Sequence, residues 1–206
     1  MFNNMGGRGS SVGIPSGTSY KGRKSNSDRR LNTMMFNPIG TTKGSKRNVN
    51  LTLNNFDRKT FGSGKETLAI MDDKGRVSHA FKGKSGSVTP DVEGYNASKN
   101  SHVIHNHPSK TWGGTFSPAD VNYLVNSGAK SVRAVAREGS YILRPRKGTT
   151  QSSKIVKDYS RVSKNVHKNN NLSGKANRQY QTGQYHKWLK DNASNYGYEY
   201  IYLKRK

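Results

Sequence analysis

A chain of 206 residues holds one domain with a packed core plus extensions, but only 30% of it is hydrophobic, so not all of it can be packed. There is no apolar run near the length of a membrane span and no secretory leader pattern, and the absence of cysteine excludes disulfides and thiolate metal sites. The net charge of +24, from 36 Lys and Arg against 12 Asp and Glu, draws polyanions whatever the fold.

Residues 1–50 read as a basic arm rich in Gly, Ser and Asn, largely disordered alone. Isolated apolar residues there (Ile14, Tyr20, Leu31) bury too little surface to offset an ordering entropy of about 1–2 kcal/mol per residue. Met34-Met35-Phe36 stands out as a docking point for a partner. The folded domain is expected over residues 51–206. Val49-Asn50-Leu51-Thr52-Leu53 alternates as a strand does, and Asn54 to Asp57 would turn it. Glu66 to Met71, Asp73-Lys74-Gly75 and Arg76 to Phe81 form a hairpin pattern that presents Glu66 at one strand end. Residues 82–100 look like a long loop, where Val88, Val92 and Tyr95 could support at most a short helix.

His102-Val103-Ile104-His105 reads as a short strand. Strand side chains alternate, so His105 and His107 share a face, ~7 Å apart along the backbone. Pro108 has no N–H and ends the pairing. Ser117 is a helix N-cap followed by Pro118, Asp120 lies in the first turn, and Val121, Leu124 and Val125 supply the apolar spacing. Gly128 caps the far end. A first-turn carboxylate can swing back towards the strand end. Two imidazoles and a carboxylate with a fourth position open is how a catalytic zinc site is built. On residue chemistry alone, Asp120 is also an ordinary first-turn acid favoured by the helix dipole, and Glu66 an exposed acid beside Lys65. His79 and His102 fit strand or surface positions better than ligand roles.

Ser131 to Ala136 and Tyr141 to Leu143 form a second hairpin pattern around Glu138-Gly139-Ser140. Ile155, Tyr159, Val162 and Val166 make one apolar stripe on a basic helix. A second stripe runs from Ala176 through Tyr180, Tyr185, Trp188 and Leu189 to Ala193, with Gly183 its weak point. Glu199 to Leu203 is a closing strand. Tyr180, Trp188 and Tyr200 read as core in preference to base-stacking residues, and His186 as a surface residue.

The order His105-Asn106-His107-Pro108, a loop, then Ser117-Pro118-Ala119-Asp120 resembles the H-x-H-P…S-x-x-D signature of JAB/JAMM (MPN-type) metalloproteases. Its wording is most similar to RadC-like proteins and to JAB domains of phage head-associated proteins. The resemblance implies an α/β fold, a cytidine-deaminase-like mixed β-sheet flanked by helices. It makes His105, His107 and Asp120 ligands of Zn2+, Glu66 the general acid/base and Ser117 a hydrogen-bond donor to the oxyanion. The nine residues between His107 and Ser117 exceed the family's usual spacing, an insertion that bears on the substrate groove and on the position of Asp120. The implied activity is peptidase or isopeptidase-like hydrolysis of a protein or peptide substrate. The implied setting is a phage virion or the bacterial host cytoplasm, with phage head or portal proteins as partners, while the basic arm and surface point to nucleic acid or another polyanion. Two rival readings are a non-catalytic virion protein that binds DNA through a basic surface, and a RadC-like DNA-associated protein.

Overall fold

The computed structural model describes residues 11–12, 29–37, 46–108, 114–168 and 171–205. In chain order these form β1 (Ser11–Val12), β2 (Arg29–Arg30), α1 (Lys46–Thr60), β3 (Thr67–Met71), β4 (Val77–Lys82), β5 (Ser87–Val88), α2 (Val92–Ala97) and β6 (His102–Asn106). There follow α3 (Pro118–Ser127), β7 (Ser131–Ala136), β8 (Gly139–Pro145), α4 (Ser152–Lys168), α5 (Gly174–Asn192) and β9 (Tyr198–Lys204). The chain is a mixed α/β fold. Its main sheet runs β2-β4-β3-β6-β7-β8-β9, and β1 pairs separately with β5.

Most neighbours in the main sheet are antiparallel, made by the β3–β4 and β7–β8 hairpins and by the β3–β6 and β8–β9 pairs. β6 and β7 are parallel. Parallel neighbours need a crossover, and α3 is carried on it. Because side chains alternate, the central strands β3, β4, β6 and β7 feed two cores. Leu68, Ile70, Val103, Val132 and Ala134 face the helices of the C-terminal half, packing with Val121, Leu124, Ile155, Tyr159 and Leu189. Ala69, Met71, Ala80, Ile104 and Val135 face the other way, towards Phe36 and Phe56.

The segment expected as a strand at Val49–Leu53, with a turn at Asn54–Asp57, is helix instead: both lie within α1. Five residues satisfy a period of two by accident, and the longer window carries the helical one. Asn48, Thr52, Phe56 and Thr60 are all buried, four residues apart, a helix face made mostly of polar residues. Thr52 Oγ1 donates to the Gly75 carbonyl and Thr60 Oγ1 to the Phe56 carbonyl, which is how those hydroxyls are accommodated in the core. Gly75 has φ +81° in the β3–β4 turn, and a side chain there would strike the Val49 backbone at 2.6 Å. Hairpin and helix therefore meet backbone to backbone.

Ordered structure also begins before residue 51. Arg29–Arg30 pair with Lys82 and Phe81, and Asn37 bonds both polar groups of Val77 through its side chain. Phe36 is fully buried, its ring 5.4 Å from that of Phe56, so it serves this core and not a partner. Much of the expected basic arm (1–10, 13–28 and 38–45) lies outside the described residues.

The segment 82–100 contains the short helix α2, whose N-cap Asp91 accepts from the Gly94 N–H. Its inward residues are Gly94 and Tyr95, whereas Val92 is exposed. Gly94 is needed because a methyl group there would meet the Phe81 ring at 2.5 Å. The helix α5 runs through Gly183 without a break. No helix among the described residues is long and apolar enough to cross a membrane.

Candidate metal centre

The candidate site residues gather where β6 ends. His105 occupies the ladder opposite Leu68 of β3 and Ala134 of β7, so its ring points to the helix-covered face with them. His107 follows on the same side, and its N–H still bonds the Val135 carbonyl at 2.7 Å, keeping the chain in register as the strand ends. Pro108 then stops the ladder. His105 is fully buried and His107 nearly so.

The carboxylate arrives from α3. Ser117 is the N-cap, with Pro118 at the helix start and Gly128 at the C-cap in the left-handed conformation. The cap is reciprocal: Asp120 N–H donates to Ser117 Oγ, while Asp120 Oδ2 accepts from Ser117 N–H at 2.7 Å and from Ser117 Oγ at 2.8 Å. One carboxylate oxygen is thus locked by the cap. The other, Oδ1, lies 3.5 Å from His105 Nε2, with both side chains fully buried. The first-turn role and the site role of Asp120 are compatible because the two oxygens divide them. The long loop after His107 does not displace this residue; of the insertion itself, residues 109–113 lie outside the described ones.

His105 Nε2 and His107 Nε2 are 2.9 Å apart. The donor atoms of His105, His107 and Asp120 all lie within 4.8 Å of one another, and the three can hold a metal ion. Two ligands held at about 2.0–2.1 Å from a tetrahedral ion sit about 3.3 Å apart, so the spacing suits a shared cation. Burial pushes the His105 imidazole down to about 3 and keeps it neutral, the form that offers a lone pair. On its other side, Nδ1 is buried without a hydrogen-bond partner among the described residues.

Glu66 is fully buried, so the reading of it as an exposed acid is overturned. It lies two residues before Leu68, whose ladder partner is His105, so strand alternation puts it on the face that carries the histidines. Asn106 holds that strand end. Its Oδ1 accepts from Thr67 N–H at 2.7 Å and its Nδ2 donates to the Lys65 carbonyl at 3.3 Å, bracketing Glu66 on both sides. Asn106 lies inside the motif but carries no ligand chemistry, so a search for metal donors passes over it.

Two supports come from α4 and β9. Tyr159 OH donates to the Phe116 carbonyl at 2.6 Å, fixing the residue before the N-cap, and the Phe116 ring centroid lies 6.3 Å from that of His105. Tyr200 OH meets Thr115 Oγ1 at 2.7 Å and His186 Nδ1 at 2.8 Å. His186 is accordingly half-buried and bonded, not a free surface residue. Tyr180, Trp188 and Tyr200 pack against the core, as expected of them. Neither His79 nor His102 joins the metal group; His102 Nε2 contacts Asp73 at the other end of β6.

No family profile, curated protein or solved structure matches the chain.

Proposed function

We propose that this chain is a zinc-dependent hydrolase of the JAB/JAMM (MPN) type, cleaving a peptide or isopeptide bond. The carrying observation is a buried group of two imidazoles and one carboxylate at a strand end, with a buried glutamate just before the adjacent strand. Zinc is the ion this all-nitrogen-and-oxygen set suits when a coordination position stays open for catalysis. Held by His105, His107 and Asp120, it would supply Lewis acidity, polarising a carbonyl and bringing the pKa of a water to about 7.

The protein's own residues supply the rest. Glu66 accepts the proton as a water oxygen adds to the carbonyl carbon, then gives it to the leaving amine as the C–N bond breaks. Asn106 keeps Glu66 facing the histidines. Ser117 orients Asp120 through its backbone N–H as well as its hydroxyl, so Oγ can turn to an oxyanion while the N–H retains Oδ2. Hydrolysis of a peptide library and of a lysine-linked isopeptide tests the reading. Cleavage should stop when metal is stripped by a chelator and return with zinc; cleavage that survives stripping would overturn it.

The net charge of +24 favours a second reading, in which the fold serves a phage or RadC-like DNA-associated protein, in a virion or a bacterial cytoplasm. The two are compatible, since a hydrolase packaged beside nucleic acid would show both properties.

A further inference from the structure

The charge is distributed along the whole chain, and α4 sets part of it in order. On α4, Lys154, Lys157, Arg161, Lys164 and Lys168 recur at spacings of 3, 4, 3 and 4. That is the helical period, so five cations line one stripe. All five are exposed. The stripe lies beside the apolar one, in which Ile155, Tyr159 and Val166 are buried against the core. Among the described residues, Arg161 alone of the five has a salt-bridge partner, Asp158 at 3.6 Å, and Lys154 stands 5.9 Å above the Tyr196 ring.

From Lys154 to Lys168 the helix rises about 21 Å, one cation per ~5 Å. A nucleic-acid duplex spaces the phosphates of one strand ~3.4 Å apart along its axis, so such a length meets about six of them. Basic amphipathic helices also bind anionic membranes, but they do so by inserting their apolar face. Here that face is spent on the core: Ile155 and Tyr159 are fully buried. Four of the five cations are lysines, point charges suited to a row of phosphates and lacking the fork that grips single carboxylates.

We propose that the exposed stripe of α4 is the docking surface for the phosphodiester backbone of a nucleic-acid duplex, read without sequence preference. This rests on the polyanion reading given above and not on hydrolysis.

The experiment is the salt dependence of binding of the full chain to a short DNA duplex, followed by fluorescence anisotropy. Replacing the five residues by Gln should weaken binding about tenfold or more. The log–log salt slope should fall by about 0.9 for each phosphate left unneutralised, about four in all. A control with the same charge change, replacing Arg58, Lys59, Lys74, Arg76 and Lys82 away from α4, should keep most of the slope. The pair Lys157→Gln and Lys164→Gln should lower the slope by about two, and it serves if the fivefold variant does not fold.

Equal losses in stripe and control variants would overturn the location, leaving only diffuse attraction. A wild-type chain that does not bind the duplex would overturn the polyanion reading as well. An equal stripe effect on anionic vesicles or on polyglutamate would overturn nucleic acid as the partner. Zinc content, unchanged in every variant, keeps all these outcomes separate from the hydrolase reading.

Discussion

Strand β6 has a histidine and a carboxylate at each end, and the two pairs are built for different purposes. At its start, His102 lies 3.0 Å from Asp73 through Nε2 and 2.8 Å from Ser131 Oγ through Nδ1, while Lys130 also binds Asp73. Those side chains are open, 32% exposed for His102 and 60% for Asp73. Lys130 holds the Asp73 carboxyl below its usual range, so its charge is already answered. At the other end His105 and Asp120 are wholly buried, and a second imidazole stands at 2.9 Å. A histidine beside an aspartate is therefore not a metal site. Burial and a second imidazole are what let the other group hold an ion.

Each end can be broken separately, and the effects should rank. Replacing Glu66 with Gln should slow hydrolysis by about 10²–10⁴-fold while zinc stays bound. Asp73→Asn should leave the rate unchanged; equal loss in both variants would remove Glu66 from the chemistry. Next comes Ser117→Ala, which takes a hydroxyl from Asp120 Oδ2 and the side-chain half of the cap. Metal affinity, read by competition with a chromophoric chelator, should fall about 10–100-fold. Thermal or urea unfolding of the same variant should show a loss of about 0.5–2 kcal/mol. Unaltered affinity would mean that the backbone N–H alone orients the carboxylate.

The pH profile offers a finer contrast. In the metal-free protein burial lowers the His105 imidazole to about 3, against about 6.5 when unfolded. Its contribution to stability is full above pH ~6.5 and drains away as pH falls towards 3, because only the unfolded chain takes up the proton. His105→Gln should flatten stability against pH across that window, and an unchanged slope there would contradict the burial argument. The smallest effect belongs to the open end. Asp73→Ala should alter stability by no more than about 1 kcal/mol, as exposed ion pairs do, without any effect on metal content.

How far the sequence spoke for itself depends on how local the deciding forces are. Helix α3 was legible from Ser117 to Gly128 because caps, Pro118 and the apolar spacing act within a few residues. The two hairpins were legible for the same reason. Helix α1 was not, since the buried face Asn48-Thr52-Phe56-Thr60 holds one apolar residue and its alternation at Val49–Leu53 imitates a strand. Phe36 stood alone in a polar segment, and its partner Phe56 is set by tertiary contact. Of the candidate metal group, all three residues could be named from spacing and resemblance. What could not be read was the division of labour between the Asp120 oxygens, or the clamp of Asn106 on the Glu66 strand end. The Asp120 Oδ1–His105 contact and the Asn106 bonds join elements that only the folded register brings together.

The central claim is that side chains 105, 107 and 120 share one ion, and metal analysis of the purified chain tests it most directly. One zinc per chain is expected, lost in Asp120→Ala and His107→Ala but retained in Asp73→Ala and His102→Ala. A chain that takes up no zinc, or one whose zinc survives Asp120→Ala and leaves with Asp73, would contradict it.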